Sequence, residues 1–123
     1  LVLTLEKSFM GYLFIRGPKD EILRLLTYLR DQKGRRTEDI DDTIRILNNF
    51  NVFYEMAKKK FKDYISPRKN EGDLIRGLVT VDKIKLIKSE RGDEAIIIFD
   101  KRVDEEMIRS SAKELGIELN TNY

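Results

Sequence analysis

Residues 95–99 read Ala-Ile-Ile-Ile-Phe. Three consecutive isoleucines are a strand signal, because β-branched side chains are stiff at χ1 and fit a pleated surface better than a helix. Successive strand residues point to opposite faces, so Ile96 and Ile98 cannot share a face with Ile97. A strand apolar on both faces belongs inside a sheet that is covered on both sides. The rest of the chain then has to supply flanking strands, and helices to pack over them.

The surrounding pattern supplies both. "LVLTL" (1–5) sets Leu1, Leu3 and Leu5 on one face, and 9–16 is rich in aromatic and branched residues. The two read as strands of a hairpin turning near Lys7-Ser8. Gly17-Pro18 ends the second, with Pro18 as a first helical residue and Asp20 and Glu21 at the positive end of the helix dipole. Ile22, Leu25, Leu26 and Leu29 follow at helical spacing until Lys33-Gly34 closes the turn. Thr37 reads as the next N-cap, before Glu38, Asp39, Asp41 and Asp42. Apolar residues then recur every three or four positions from Ile40 to Tyr64. That spacing predicts one long amphipathic helix over 38–65, stopped by Ser66-Pro67, with "NNFN" (48–51) as its weak point.

Pro67, Asn70, Gly72 and Gly77 mark a loop at 66–77 inside one fold. Strands at 78–88 and 95–99 follow, joined by a turn at 89–93. Asp104 caps a last helix that ends at Gly116, and 117–119 form a short strand. Strand, helix and strand in so short a span suit a parallel, right-handed crossover. The order β-β-α-α-β-β-α-β predicts an α+β fold, a mixed sheet packed by helices, in a single domain over 1–123.

Composition narrows the chemistry. The 123 residues include no cysteine and no histidine, which removes disulfides, thiolate ligands and the commonest general base. No Walker-type loop and no GxGxxG occurs, so no nucleotide cofactor is expected and no metal is assigned. With no strong catalytic motif, the sequence leans against an enzyme without deciding the point. Charged residues reach 37% yet nearly cancel, 24 basic against 22 acidic. One glutamine and abundant Lys, Arg, Glu and Ile suit a thermophilic source. The longest apolar run, 95–99, is far too short to span a bilayer, and no signal peptide is visible. A cytoplasmic location off the membrane is expected.

Two features bear on function. First, Asp82 lies in the strand before "AIIIF", while Asp100 and Arg102 follow it at period-two spacing with Ile98. The arrangement is similar to the acid, spacer and lysine of metal-dependent nucleases, in which carboxylates hold Mg²⁺ and the lysine steadies developing charge. Arginine stands here in the lysine's place. The plainer reading is a strand leaving the core.

Second, basic residues gather in two places. Residues 54–69 carry Lys58, Lys59, Lys60, Lys62, Arg68 and Lys69 against Glu55 and Asp63, and a shorter run at 30–36 holds Arg35 and Arg36. Lys58, Lys59 and Lys62 on one helix, with Arg68 and Lys69 after it, form a ridge suited to DNA or RNA phosphates, and Arg35 and Arg36 assist. A solvated helix face explains the same charges without any ligand. Tyr12 and Phe14 share a strand face, as a stacking platform for single strands requires, though core roles suit most of the aromatic residues. The expectation is a non-catalytic nucleic-acid-binding protein, or a small subunit of a nucleic-acid-processing complex. The alternatives are a protein–protein adaptor or homo-oligomer, built on the charge asymmetry of the long helix, and a Mg²⁺- or Mn²⁺-dependent nuclease, or an inactive relative, using Asp82 and Asp100.

Overall fold

The computed structural model describes residues 2–121; Leu1, expected on the inner face of the first strand, lies outside the described residues. The chain runs β1 (Val2–Lys7), β2 (Leu13–Pro18), α1 (Lys19–Gln32), α2 (Glu38–Asn48), α3 (Phe50–Lys59), α4 (Glu71–Ile75), β3 (Val81–Ser89), β4 (Gly92–Phe99), α5 (Glu105–Glu114) and β5 (Glu118–Thr121). The strands form one mixed sheet in the order β3-β4-β2-β1-β5. Four strands pair antiparallel, and β5 returns through α5 to lie parallel to β1. The fold is α+β, as the alternation of patterns predicts.

One face of the sheet makes the core. Leu3, Leu5, Leu13, Ile15, Ala95, Ile97 and Phe99 turn inward at every second position and are buried against Ile22, Leu25, Leu26 and Leu29 of α1. Ile40 and Leu47 of α2 and Ile108 and Ala112 of α5 complete it. Each of the leucine, isoleucine and phenylalanine side chains among them contributes about 1.5–3 kcal/mol relative to exposure. At Gly17 the neighbouring Leu3 side chain occupies the space a Cβ would need, so any larger residue there must displace the buried Leu3 side chain.

The opposite face differs from expectation. Along β1, β2 and β4 its residues are Val2, Thr4, Glu6, Phe14, Arg16, Pro18, Glu94, Ile96 and Ile98, and none is buried. β4 does lie between two strands, but the helices stack on one side only. The isoleucine run carries a buried Ile97 between two half-exposed neighbours.

The helix expected over 38–65 is two helices. At the break, Asn49 leaves helical geometry (φ −118°, ψ 43°), and the Arg45 carbonyl accepts both its backbone N–H (3.1 Å) and its side-chain amide (2.9 Å), so the side chain closes the end of α2. Beyond α3 the chain turns extended instead of continuing to Tyr64. There Ile65 exchanges two backbone hydrogen bonds with Ile84 (2.8 and 2.9 Å), pairing part of the open edge of β3. Phe61, expected inward on the longer helix, is therefore in solvent. Phe9 and Met10 are likewise exposed at the tip of the β1–β2 turn and not in a strand. Pro18 ends β2 with extended ψ instead of opening α1. The 66–77 connection carries the short helix α4, capped by Asn70.

A carboxylate ties the extended segment to α2. Asp42 accepts from the Arg68 backbone N–H (2.8 Å) on one oxygen and from the Arg45 guanidinium (2.6 Å) on the other. Burial pushes the Asp42 carboxyl up, but the Arg68 N–H and the Arg45 guanidinium outweigh it and hold it below its ordinary 3.8. A depressed carboxyl contributes stability that is complete above its unfolded value and is lost as pH falls through the folded one. The melting temperature is expected to drop as pH falls below about 4, and Asp42→Asn should flatten that drop while lowering the plateau near neutrality. Thermal melts from pH 7 to pH 2 check both.

Candidate nucleic-acid interface

The uncovered face carries the most distinctive surface chemistry. Cross-strand register places Lys83, Ile98, Phe14 and Glu6 in one row, and Lys85, Ile96, Arg16 and Thr4 in the next. Ile65 pairs with Ile84 on the inner face, which turns Tyr64 outward beside Lys85, whose Nζ lies 5.7 Å from the ring centroid. At the far end of β4, Lys101 Nζ stands 5.9 Å from the Tyr12 ring. Tyr12, Phe14 and Tyr64 line one groove of about 380 Å³, floored by Ile96 and Ile98 and edged by Lys83 and Asp82. The sheet thus presents aromatic rings on an aliphatic floor with ammonium groups beside them.

The lysines of α3 extend this surface. Lys58 and Lys62 share a second groove with Lys85, Tyr54 and Asp63. A third, lined by Met56, Lys60, Lys62 and Tyr64, runs along the end of the helix. Among the described residues no ion pair holds Lys58, Lys59, Lys60, Lys62, Lys83, Lys85 or Lys101. Their charges are available to an external anion.

The other basic residues singled out in the sequence are held by contacts within the fold. Lys69 Nζ donates to the Asp82 carbonyl (2.9 Å) and faces its carboxylate at 3.9 Å. Arg68 is fixed at the Asp42 junction through its backbone N–H, while its side chain is exposed. Arg36 pairs with Asp31 at 2.9 Å, and Arg35 donates to the Leu78 carbonyl at 3.2 Å. Asp31 lies below the ordinary carboxyl range, chiefly through its hydrogen bond to Arg30. Lys58 and Lys62 are thus brought to the grooves beside the sheet face and Lys69 to its Asp82 edge, while Lys59 lines none of these grooves and Arg35 and Arg36 are held elsewhere.

Asp82 and Asp100 also take distinct places. Asp82 sits at a bulge in β3, against Lys69. β4 stops at Phe99, so the period-two geometry expected for Asp100 and Arg102 ends there. Asp100 instead accepts from the backbone N–H (2.9 Å) and Nε (3.2 Å) of Arg102, closing a turn. Among the described residues no group of three or more His, Cys, Asp or Glu gathers in a metal-binding arrangement. Nor, among them, is any helix long and apolar enough to cross a membrane.

The sequence signal for the open face was present but weak. Tyr12 and Phe14 were paired by period two, whereas Tyr64, Lys83 and Lys85 join them only through the Ile65–Ile84 bridge and the β3 register. Comparison with protein-family models, with curated proteins and with solved structures finds no match.

Proposed function

We propose that this chain is a non-catalytic single-stranded nucleic-acid-binding protein, acting through the open sheet face and the adjoining lysines of α3. The observation that carries this reading is the groove of Tyr12, Phe14 and Tyr64 over Ile96 and Ile98, bordered by unpaired lysines. Every nucleobase has a π-face, so rings on a sheet bind unstacked bases with little sequence preference. Duplex bases are stacked on one another and cannot use them, which favours single strands. Lys83, Lys85, Lys58 and Lys62 line these adjoining grooves, where a backbone phosphate chain would run, and Lys59 is exposed next to Lys58 in α3. Asp82 and Asp63 are acids within these grooves; Asp82 is partly neutralised by Lys69.

The test is a salt titration of binding to mixed-sequence single-stranded DNA and RNA and to duplex, with and without Mg²⁺. Affinity for single strands should fall steeply with salt, with a log–log slope near −0.7 for each neutralised phosphate. Lys58→Glu, Lys59→Glu and Lys62→Glu together should weaken binding by about 100-fold or more. Absence of binding at low salt, or full binding by the triple variant, overturns this reading. Strand cleavage in Mg²⁺ that disappears in Asp100→Ala would replace it with the nuclease one.

A second reading, docking of a protein partner or a second copy, draws on Leu74, Ile75 and Leu78, exposed apolar side chains at and just after α4. A monodisperse oligomer with no nucleic-acid shift at low salt favours it.

A further inference from the structure

Three helices end in the same hydrogen-bonded turn. After α4, Leu78 N–H donates to the Asp73 carbonyl and Gly77 N–H to that of Leu74. After α5, Ile117 N–H donates to Ala112 and Gly116 N–H to Lys113. After α3, Lys62 N–H donates to Ala57 (2.9 Å) and Phe61 N–H to Lys58 (3.2 Å). The turn needs a left-handed residue at its centre, and glycine is the ordinary choice because it has no Cβ to clash. Gly77 and Gly116 fill it at φ 71°. At α3 the residue is Phe61, at φ 52°, the one non-glycine with positive φ among the described residues.

Nothing within the fold explains that choice. The Phe61 side chain is 96% exposed, so its ring gains little burial to offset the backbone strain. A bulky residue held in a disfavoured conformation, with its ring in solvent, is a feature to be explained by what it meets outside the protein. The immediate surroundings define the occupant's chemistry. Lys58, Lys59, Lys60 and Lys62 flank the ring in the chain, all exposed. Phe61 does not itself line the groove along Met56, but its chain neighbours Lys60 and Lys62 do, and that groove reaches Tyr64 on the sheet face. An occupant must combine repeated negative charge with flat apolar surface, as an unpaired stretch of nucleic acid does.

We infer that Phe61 is a further base-stacking site, at the α3 end of the path that begins on the open sheet face. This rests on the single-strand reading above and extends it: the bound strand leaves the sheet past Tyr64 and places one more base on the Phe61 ring. The lysines either side hold the flanking phosphates. The left-handed backbone is what lifts the ring clear of α3, since in a continued helix position 61 would face inward with Tyr54 and Ala57.

The chain contains no tryptophan, so Phe61→Trp introduces a single reporter. The probe is an end-labelled, mixed-sequence oligonucleotide of about 12 nucleotides, whose anisotropy measures binding independently of the tryptophan. Emission of the Phe61→Trp variant should be quenched as the strand saturates, and an abasic strand of equal length should leave it unquenched. Phe61→Gly should melt about 4–8 °C higher through relief of strain, yet bind the oligonucleotide about 5- to 150-fold more weakly. A merely structural residue would give the first effect without the second. Binding seen by anisotropy with tryptophan emission unchanged, or wild-type affinity in Phe61→Gly, overturns this inference and leaves the sheet-face reading standing. No binding by the wild type removes both. A blue shift of the tryptophan on vesicles rich in anionic lipid, with no response to the oligonucleotide, also overturns it and makes Phe61 a membrane-surface contact.

Discussion

Asp39→Ala is expected to destabilise the protein by about 3–5 kcal/mol and lower its melting temperature by about 10–20 °C. Asp39 is fully buried in the first turn of α2, and its Oδ2 accepts from the backbone N–H of Thr80 (2.8 Å) and of Val81 (2.6 Å). Those donors lie at the start of β3, which among the described residues has no β-neighbour other than Ile65 on its outer side. Thr80 and Val81 are themselves buried. Removing the carboxylate leaves two buried donors without water or partner, each costing about 1–3 kcal/mol, and opens a cavity between α2 and the sheet. Asp39→Asn keeps one acceptor oxygen in place and should lose roughly half as much or less. Denaturant melts of the three proteins check the ordering. A loss below about 1 kcal/mol in Asp39→Ala would mean that packing, and not this contact, holds the start of β3.

Asp39 also shows what a one-dimensional reading misses. In the sequence it is one of four acids after Thr37, all of which suit a helix N-terminus. Its neighbours do behave as surface acids, with Glu38 and Asp41 exposed. Asp39 and Asp42 instead turn inward to backbone N–H groups 41 and 26 residues away. No local pattern distinguishes an acid that fills a cap from one that joins distant segments. The Thr37 hydroxyl, read as the cap, makes no cap hydrogen bond. Where the signal is local and stereochemical, sequence and structure agree: Asp104 caps α5 by accepting from Glu106 N–H, and Gly116 closes it in the left-handed region.

The isoleucine run was legible as a strand and misleading as to its covering. β-branching determines that 95–99 is extended, and period two determines that Ile96 and Ile98 oppose Ile97. Neither determines whether a second layer of helices exists. The chain leaves α3 after Lys59, and Ile65 pairs with β3 instead of lengthening the helix, while the helices cover one face. The apolar face left over is what turns an expected core strand into the floor of a groove.

The second large effect concerns that floor. Phe14→Ala and Tyr64→Ala together are expected to reduce affinity for single strands by about 30-fold to 10⁴-fold, with the fold intact. Tyr64 precedes Ile65, which pairs with β3, and Phe14 lies on β2 beyond β4, so three interstrand steps separate them, about 14 Å. At that distance they cannot stack on the same base, and their contributions of about 1–3 kcal/mol each should add. Both rings keep part of their surface in water, so their loss removes little core, and far-UV circular dichroism should be unchanged. The salt dependence separates the two classes of contact. Each lysine removed should make the log–log slope shallower, whereas loss of the rings should shift the line to weaker binding at constant slope. If the double variant loses affinity by changing the slope, or binds as the wild type does, the rings are not base contacts and the lysines alone hold the strand. A constant slope with a parallel shift would require that an uncharged contact had been lost, and on this face Phe14 and Tyr64 are the groups removed.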